Sequence, residues 1–273
     1  MRLLVDAKAD VNNHTISGAS PVYFAADKNH VEILQLLVDA KADVNKADNN
    51  GVSPVFMAAQ NNSAACLKLL VDTKADVNRC DNQGTSPVCM AARMNHVEIL
   101  KQLVDAKADV NKTLNGGPSP VYIAAEMNHV EILQQLLDAK ADVDQTLDDG
   151  TSPVFIAALL NHVEILQMLV DAKANVNLVD NAGTSPVYTA VENNHIVVLE
   201  MLVKARADVN LTDDEGISPV LLAASNNNVE ILRVLFAAGA NMTPISQLGT
   251  PYELAESHSH VASMEYLRSI NAD

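Results

Sequence analysis

Residues 180–212 read DNAGTSPVYTAVENNHIVVLEMLVKARADVNLT, and closely related stretches fill most of the 273-residue chain. The dipeptide Ser-Pro returns every 33 residues, with its proline at Pro21, Pro54, Pro87, Pro120, Pro153, Pro186 and Pro219. Thr250-Pro251 follows one residue early, and a glycine stands three residues before each of the first seven prolines. A fixed period of this length indicates a repeat architecture, in which each unit buries its apolar face against its neighbours.

The Ser-Pro dipeptide predicts the start of a helix in every repeat. A serine before the first turn accepts a hydrogen bond from a free backbone N–H, and proline at the first helical position lacks a donor that would have no partner. In the second repeat we expect this helix to run from about Ser53-Pro54 to Gln60-Asn61, with Asn62 in the left-handed conformation. A second helix follows, and in the first repeat its apolar stripe consists of Val31, Ile33, Leu34, Leu36, Leu37 and Val38. One partner helix cannot cover a stripe of this width, so neighbouring repeats must cover the rest.

The repeat resembles the ankyrin repeat, whose pattern is G-x-T-P-L-H-x-A, then G-H, an aliphatic helix and G-A-D-V-N. Residues 183–190 read GTSPVYTA, and residues 206–210 read RADVN. The resemblance implies an all-α repeat solenoid, an ankyrin repeat array of helix-turn-helix units with projecting hairpin loops. We expect a partial repeat with a truncated second helix over 1–14, seven full repeats over 15–245 and a C-terminal capping repeat over 246–273.

Two departures from the ankyrin pattern recur along the chain. The histidine of T-P-L-H is replaced by Tyr23, Phe56, Cys89, Tyr122, Phe155, Tyr188, Leu221 and Glu253, and in three repeats the tyrosine hydroxyl could take over its hydrogen bond. The glycine that closes the second helix is replaced by Lys41, Lys74, Lys107, Lys140, Lys173 and Arg206. In the left-handed conformation each cation costs about 1 kcal/mol relative to glycine. Its charge at the helix C-terminus partly offsets that cost.

The two ends of the array differ. Residues 1–12 align with the last part of a second helix, which favours a piece of a longer array, the alternative being an end that frays or self-associates. In the last repeat, Ser263 occupies a position that is isoleucine in most other repeats. A polar outer face of this kind is typical of a terminal cap.

Composition excludes several classes of partner. The formal net charge is −16, a sign that repels nucleic acid and anionic membrane surfaces. The longest apolar run, residues 154–160, is far shorter than the roughly 20 residues of a membrane-spanning helix. Three irregularly spaced cysteines and the absence of an export signal predict a cytoplasmic protein, with the nucleus as the alternative.

Histidine and serine, residue types that often act in catalysis, recur here at equivalent positions of successive repeats. The same repeat position holds His30, His96, His129, His162, His195 and His260, about 10 Å apart if each repeat is one helical layer. A shared zinc ion needs ligand atoms about 2 Å away, so this series forms no metal site. Phosphate-binding glycine loops are also missing. We therefore expect no enzyme, no metal and no cofactor, and we interpret the Ser-Pro serines as helix caps rather than phosphorylation sites.

Function is expected where the repeats differ. The last two positions at the end of the first helix collect apolar residues in the middle three repeats, and in two of those repeats leucine replaces the aspartate that opens the hairpin. We predict a partner-binding patch of Met94, Leu114, Met127, Leu147, Leu159 and Leu160 with a polar rim of Arg93, Glu126, Glu192 and Asn193. An apolar centre and polar rim are typical of an interface. The alternative is that the apolar residues pack against one another across repeats.

The predicted function is a non-catalytic scaffold that binds another protein through the concave face of an ankyrin solenoid, which the resemblance implies. The alternative is a segment of a longer array that serves as a structural adaptor for an effector domain outside this chain. We expect a monomer. If two chains associate, we expect them to join end to end through the truncated N-terminal unit.

Overall fold

The computed structural model describes residues 9–113 and 116–270. The chain divides into two compact units, Met1–Asp142 and Val143–Asp273, and each is described by itself. In the described ranges every regular element is a helix, and pairs of helices follow one another with the 33-residue period. This architecture confirms the all-α repeat fold predicted from the sequence.

Each repeat contributes a short first helix of seven residues and a second helix of nine or ten. The first unit contains α1 (Pro21–Asp27), α2 (Val31–Asp39), α3 (Pro54–Gln60), α4 (Ala64–Asp72), α5 (Pro87–Arg93), α6 (Val97–Asp105), α7 (Pro120–Glu126) and α8 (Val130–Asp138). The second unit contains α9 (Pro153–Leu159), α10 (Val163–Asp171), α11 (Pro186–Glu192), α12 (Ile196–Lys204), α13 (Pro219–Ser225), α14 (Val229–Ala237), α15 (Pro251–Ser257) and α16 (Val261–Ile270). Within the described ranges, no helix is long and apolar enough to cross a membrane.

The first helices begin as predicted. In α3, the Ser53 hydroxyl oxygen accepts the backbone N–H of Phe56 at 3.1 Å, and Pro54 occupies the first helical position. The same serine cap starts the other first helices except α15. There Thr250 forms a capping box, because the Glu253 carboxylate also accepts the Thr250 backbone N–H at 2.8 Å. The cap serines are buried, so each one has its hydroxyl committed to the helix.

Left-handed residues end both helices of each full repeat. Asn62 follows α3 with a φ of 54°, and Lys74 follows α4 with a φ of 65°. Lys41, Lys107, Lys140, Lys173 and Arg206 adopt the same conformation, with φ between 62° and 68°. The predicted exchange of glycine for a strained cation is therefore confirmed in these repeats.

Aliphatic side chains shared between neighbouring repeats form the core. First helices pack against first helices, and second helices against second helices, within each unit. Val55, Leu67 and Leu70 of the second repeat are almost fully buried, as are their counterparts in the other full repeats. Fully burying a leucine or valine stabilises a fold by roughly 1.5–3 kcal/mol, so these interfaces between repeats provide most of the stability.

Two series of hydrogen bonds also connect neighbouring repeats. The His96 ring donates from Nδ1 to the carbonyl oxygen of Ala59 in the preceding repeat at 2.9 Å. His129 and His195 make equivalent bonds, each to its own preceding repeat. Nδ1 must carry the proton, since a carbonyl oxygen only accepts. Sequence reasoning missed the second series, in which the Asn45 side-chain oxygen accepts the backbone N–H of Asp76 at 2.7 Å. The equivalent bonds join Asn12 to Asp43, Asn78 to Asp109, Asn111 to Asp142, Asp144 to Asn175, Asn177 to Asp208 and Asn210 to Asn241.

The projecting hairpins are tight turns, and in the described ranges their only β pairing is one isolated antiparallel bridge between Ser246 and Gly249. In the second repeat, the Gly51 backbone N–H donates to the Asp48 carbonyl oxygen at 3.0 Å. One Asp48 carboxylate oxygen accepts the backbone N–H groups of Asn50 and Val52, each at 2.9 Å. The aspartate that opens the turn therefore also holds it closed.

The third and fourth repeats carry glutamine in the middle of the second helix. Gln102 and Gln135 occupy a position that is apolar in the other full repeats, which have Leu36, Leu69, Met168, Met201 and Val234. The side-chain oxygens of both glutamines are buried and lack a hydrogen-bond partner among the described residues. Burying an unpaired acceptor costs about 1–3 kcal/mol.

Replacing Gln135 with methionine is therefore expected to raise the free energy of unfolding by about 1 kcal/mol, since the unpaired oxygen disappears and the helix keeps a side chain of similar length. Chemical denaturation of the full chain measures this change. Gln134→Met is the matched control, because Gln134 is exposed on the same helix and donates to Asp138 at 2.9 Å. Equal effects of the two substitutions would contradict the explanation.

Candidate functional site

The ends of the first helices form one surface in each unit, which we call the first-helix surface. It consists of the last residue of each first helix and the residue that caps it. In the first unit, α5 contributes Arg93 and Met94, and α7 contributes Glu126 and Met127. The exposed fractions of Met94 and Met127 are 46% and 41%. In the first unit, these two methionines therefore remain accessible after the repeats have stacked.

The second unit repeats this arrangement with leucines and then with polar residues. Leu160 caps α9 and is 42% exposed, while Leu159 at the end of the same helix is half-buried. In the next repeat Glu192 and Asn193 are exposed, and the Asn193 amide donates to the carbonyl oxygen of Thr189 at 2.9 Å. In the second unit, an apolar pair and a polar pair thus lie in successive repeats of this surface.

A further position of this surface went unnoticed in the sequence. Met90 lies four residues before Met94 on α5, so the two side chains share a helix face. Met90 is half-buried, whereas its counterpart Ile123 on α7 is fully buried. The four-residue spacing of Met90 and Met94 is the sequence signal that would have identified Met90 as part of this surface. The accessible apolar surface of the third repeat therefore has two thioethers.

The predicted patch includes two hairpin residues, Leu114 and Leu147, and the structure describes only the second of them. Leu114 lies outside the described residues. Leu147 is half-buried, and its turn keeps its backbone bonds, since the Leu147 N–H donates to the Thr151 carbonyl oxygen at 3.0 Å. The side chain of Asp149 replaces the missing opening aspartate by accepting the Thr151 backbone N–H at 2.9 Å. The leucine at this position therefore leaves the turn intact and presents an apolar side chain in place of a carboxylate.

Some charged side chains of the first-helix surface form ion pairs and others do not. In the first repeat, Asp27 makes an ion pair of 3.0 Å with Lys28 and accepts the Asn61 amide at 2.6 Å. Arg93 is exposed, and among the described residues no carboxylate lies within ion-pairing distance of it. Next to Met94 the surface therefore carries a free guanidinium group.

Side chains with catalytic or metal-binding chemistry occupy structural positions. In the described ranges, no three histidine, cysteine, aspartate or glutamate side chains come together as a metal-binding group. The Tyr188 hydroxyl donates to the Asp213 carboxylate at 3.0 Å, and burial, followed by this hydrogen bond, raises the pKa of Tyr188. The tyrosine at the histidine position of the ankyrin pattern therefore makes a side-chain hydrogen bond in this repeat.

The three cysteines are protonated thiols at neutral pH. Burial raises the pKa of Cys66 to about 11, and burial likewise raises the pKa values of Cys80 and Cys89. Cys66 and Cys89 are buried, while Cys80 is half-buried. A reactive thiol needs the opposite environment, with exposure and a lowered pKa.

Comparison with known proteins adds a family match. A family model described as ankyrin repeats in three copies matches residues 1–81, 55–147 and 121–213. A search of curated proteins found no match to the chain.

The thiols are expected to react in two stages with a disulfide reagent such as DTNB at pH 8. Cys80 reacts first because it is half-buried, while Cys66 and Cys89 react only as the protein unfolds. Cys66 with a pKa of about 11 is roughly one part in a thousand thiolate at this pH. Mass spectrometry of labelled peptides identifies the order, and rapid labelling of Cys66 in the folded protein would contradict it.

Proposed function

Because this chain belongs to the ankyrin repeat family, whose repeats are in general protein-interaction modules, we propose that it is a non-catalytic scaffold that binds a partner protein. Binding takes place through the first-helix surface, the side of the array expected to be concave. The observation that carries this proposal is the exposure of Met94 and Met127 in one unit and of Leu160 in the other.

The exposure of these residues supports binding over mutual packing. Side chains that served only to fill space between repeats would be covered, as Ile123 and Val121 are. Methionine and leucine give adaptable apolar contacts, and interface centres are enriched in such apolar residues and poor in charge. The proposed polar rim consists of Arg93 and Glu126 in the first unit and of Glu192 and Asn193 in the second unit.

Repetition argues against catalysis. A catalytic group needs one environment that sets its pKa and geometry. Here the histidines and serines are copies that bond backbone groups within or between repeats. The cytoplasmic location and the monomeric state stay predictions.

The proposal is tested by co-precipitation of partners with the full chain and its variants. Met94→Asp with Met127→Asp, and separately Leu159→Asp with Leu160→Asp, is expected to remove the partners bound by the intact protein, since a buried carboxylate at an interface centre costs several kcal/mol. Quantitative mass spectrometry compares the captured proteins.

Val197→Asp is the matched control. Val197 is 53% exposed but lies on α12, a second helix, so it is an exposed apolar residue away from the proposed interface. Circular dichroism and thermal unfolding must be the same for all variants. Retention of the same partners by both double variants would exclude the first-helix surface.

A further inference from the structure

Met94 and Met127 occupy equivalent positions in successive repeats of the first unit. Each caps its first helix, and the two helices, α5 and α7, pack against each other. Packed helix axes lie about 8–10 Å apart. A partner segment that contacts both methionines must therefore present two side chains on one face at about this separation.

The separation excludes a strand, and the side chains of the surface then decide between two helical conformations of a bound segment. In an α-helix, residues i and i+7 lie on one face and about 10.5 Å apart. In a β-strand, residues on one face are about 6.8 or 13.6 Å apart, and neither value matches. A polyproline helix offers about 9.3 Å between i and i+3, but grooves that bind it are lined by aromatic rings. Arg93, Met94, Glu126 and Met127 include no aromatic side chain, which favours the α-helix.

The guanidinium group of Arg93, next to Met94, sets a second requirement for the partner segment. Arg93 is the last residue of α5, is exposed and has no ion-pair partner among the described residues. A carboxylate of the partner placed one helical turn from the residue on Met94 would reach this guanidinium. Guanidinium and carboxylate groups form two parallel hydrogen bonds, which fix orientation as well as add affinity.

We propose that the first-unit part of the first-helix surface binds an amphipathic α-helix. It has large apolar side chains at i and i+7 on Met94 and Met127 and a carboxylate facing Arg93. This inference rests on the proposed function and specifies the partner at the same site.

The test is a selection of random 16-residue peptides displayed on phage, with the intact full chain as target. Peptides that also bind the Met94→Asp, Met127→Asp variant are removed. Enriched peptides are expected to contain large apolar residues seven positions apart and an aspartate or glutamate one turn from one of them. Titration with labelled peptides gives the affinity, and circular dichroism gives their helicity when bound.

Three substitutions then separate the contributions. Met94→Ala with Met127→Ala is expected to weaken binding more than about tenfold, as hot-spot truncations do, without adding charge. Arg93→Glu is expected to weaken it about fivefold, and changing the peptide carboxylate to lysine is expected to restore it. Lys28→Glu is the matched control, because Lys28 is an exposed cation that caps α1 on the same surface and is already paired with Asp27.

The outcomes distinguish this inference from the proposed function. Enriched peptides that are proline-rich, that bind in extended form or that ignore Arg93→Glu would overturn the inference. Weaker binding of those peptides to the Met94→Ala, Met127→Ala variant would still support the first-helix surface. Failure to enrich any peptide sensitive to Met94 and Met127 would count against both.

Discussion

The protein depends on one constraint, which is that a repeat of 33 residues cannot cover its own apolar surface. The second helices bury Leu67, Leu70 and their counterparts only because another repeat lies against them. Stability therefore comes from interfaces between neighbours rather than from a single central core. The caps and turns within a repeat have a different role, since they fix the helix ends so that each interface has the same geometry.

This division of roles leaves a set of positions free to vary. The buried serine caps, the bonds from His96 and its equivalents, and the bonds of the Asn45 type lie at positions that recur from repeat to repeat. The residues that end the first helices make few of these contacts, so their identity can change without loss of the fold. The exposed methionines and Arg93 lie at such positions.

The fold was predictable from the sequence because its determinants are local and repeated. Ser-Pro marked every full repeat's first helix, and the left-handed cations after the second helices were expected from their place in the pattern. The bond from the Asn45 side chain to Asp76 was not predicted, since it joins residues 31 positions apart and asparagine in a loop has many local uses. The unpaired oxygens of Gln102 and Gln135 also depend on neighbours in space that no pattern reveals.

The candidate site was predictable only as a set of variable positions. Sequence comparison among repeats identified Met94, Met127 and Leu160, but it could not say how much of each side chain stays accessible. Leu159 shows the difference, because it is as apolar as Leu160 and yet is half-buried. Met90 was overlooked because its position is apolar in most repeats and so seemed to belong to the core.

The hydrogen bond between Asn45 and Asp76 has equivalents along each unit. This series of bonds limits which insertions and deletions the fold can accept. Every donor meets an acceptor 31 residues earlier, so inserting one residue between them would shift the backbone out of reach. Deleting or duplicating one whole repeat brings together the same pair of groups again. Recombination can therefore alter the number of repeats in whole steps without breaking this series of bonds, while point changes outside the bonded positions leave the series intact.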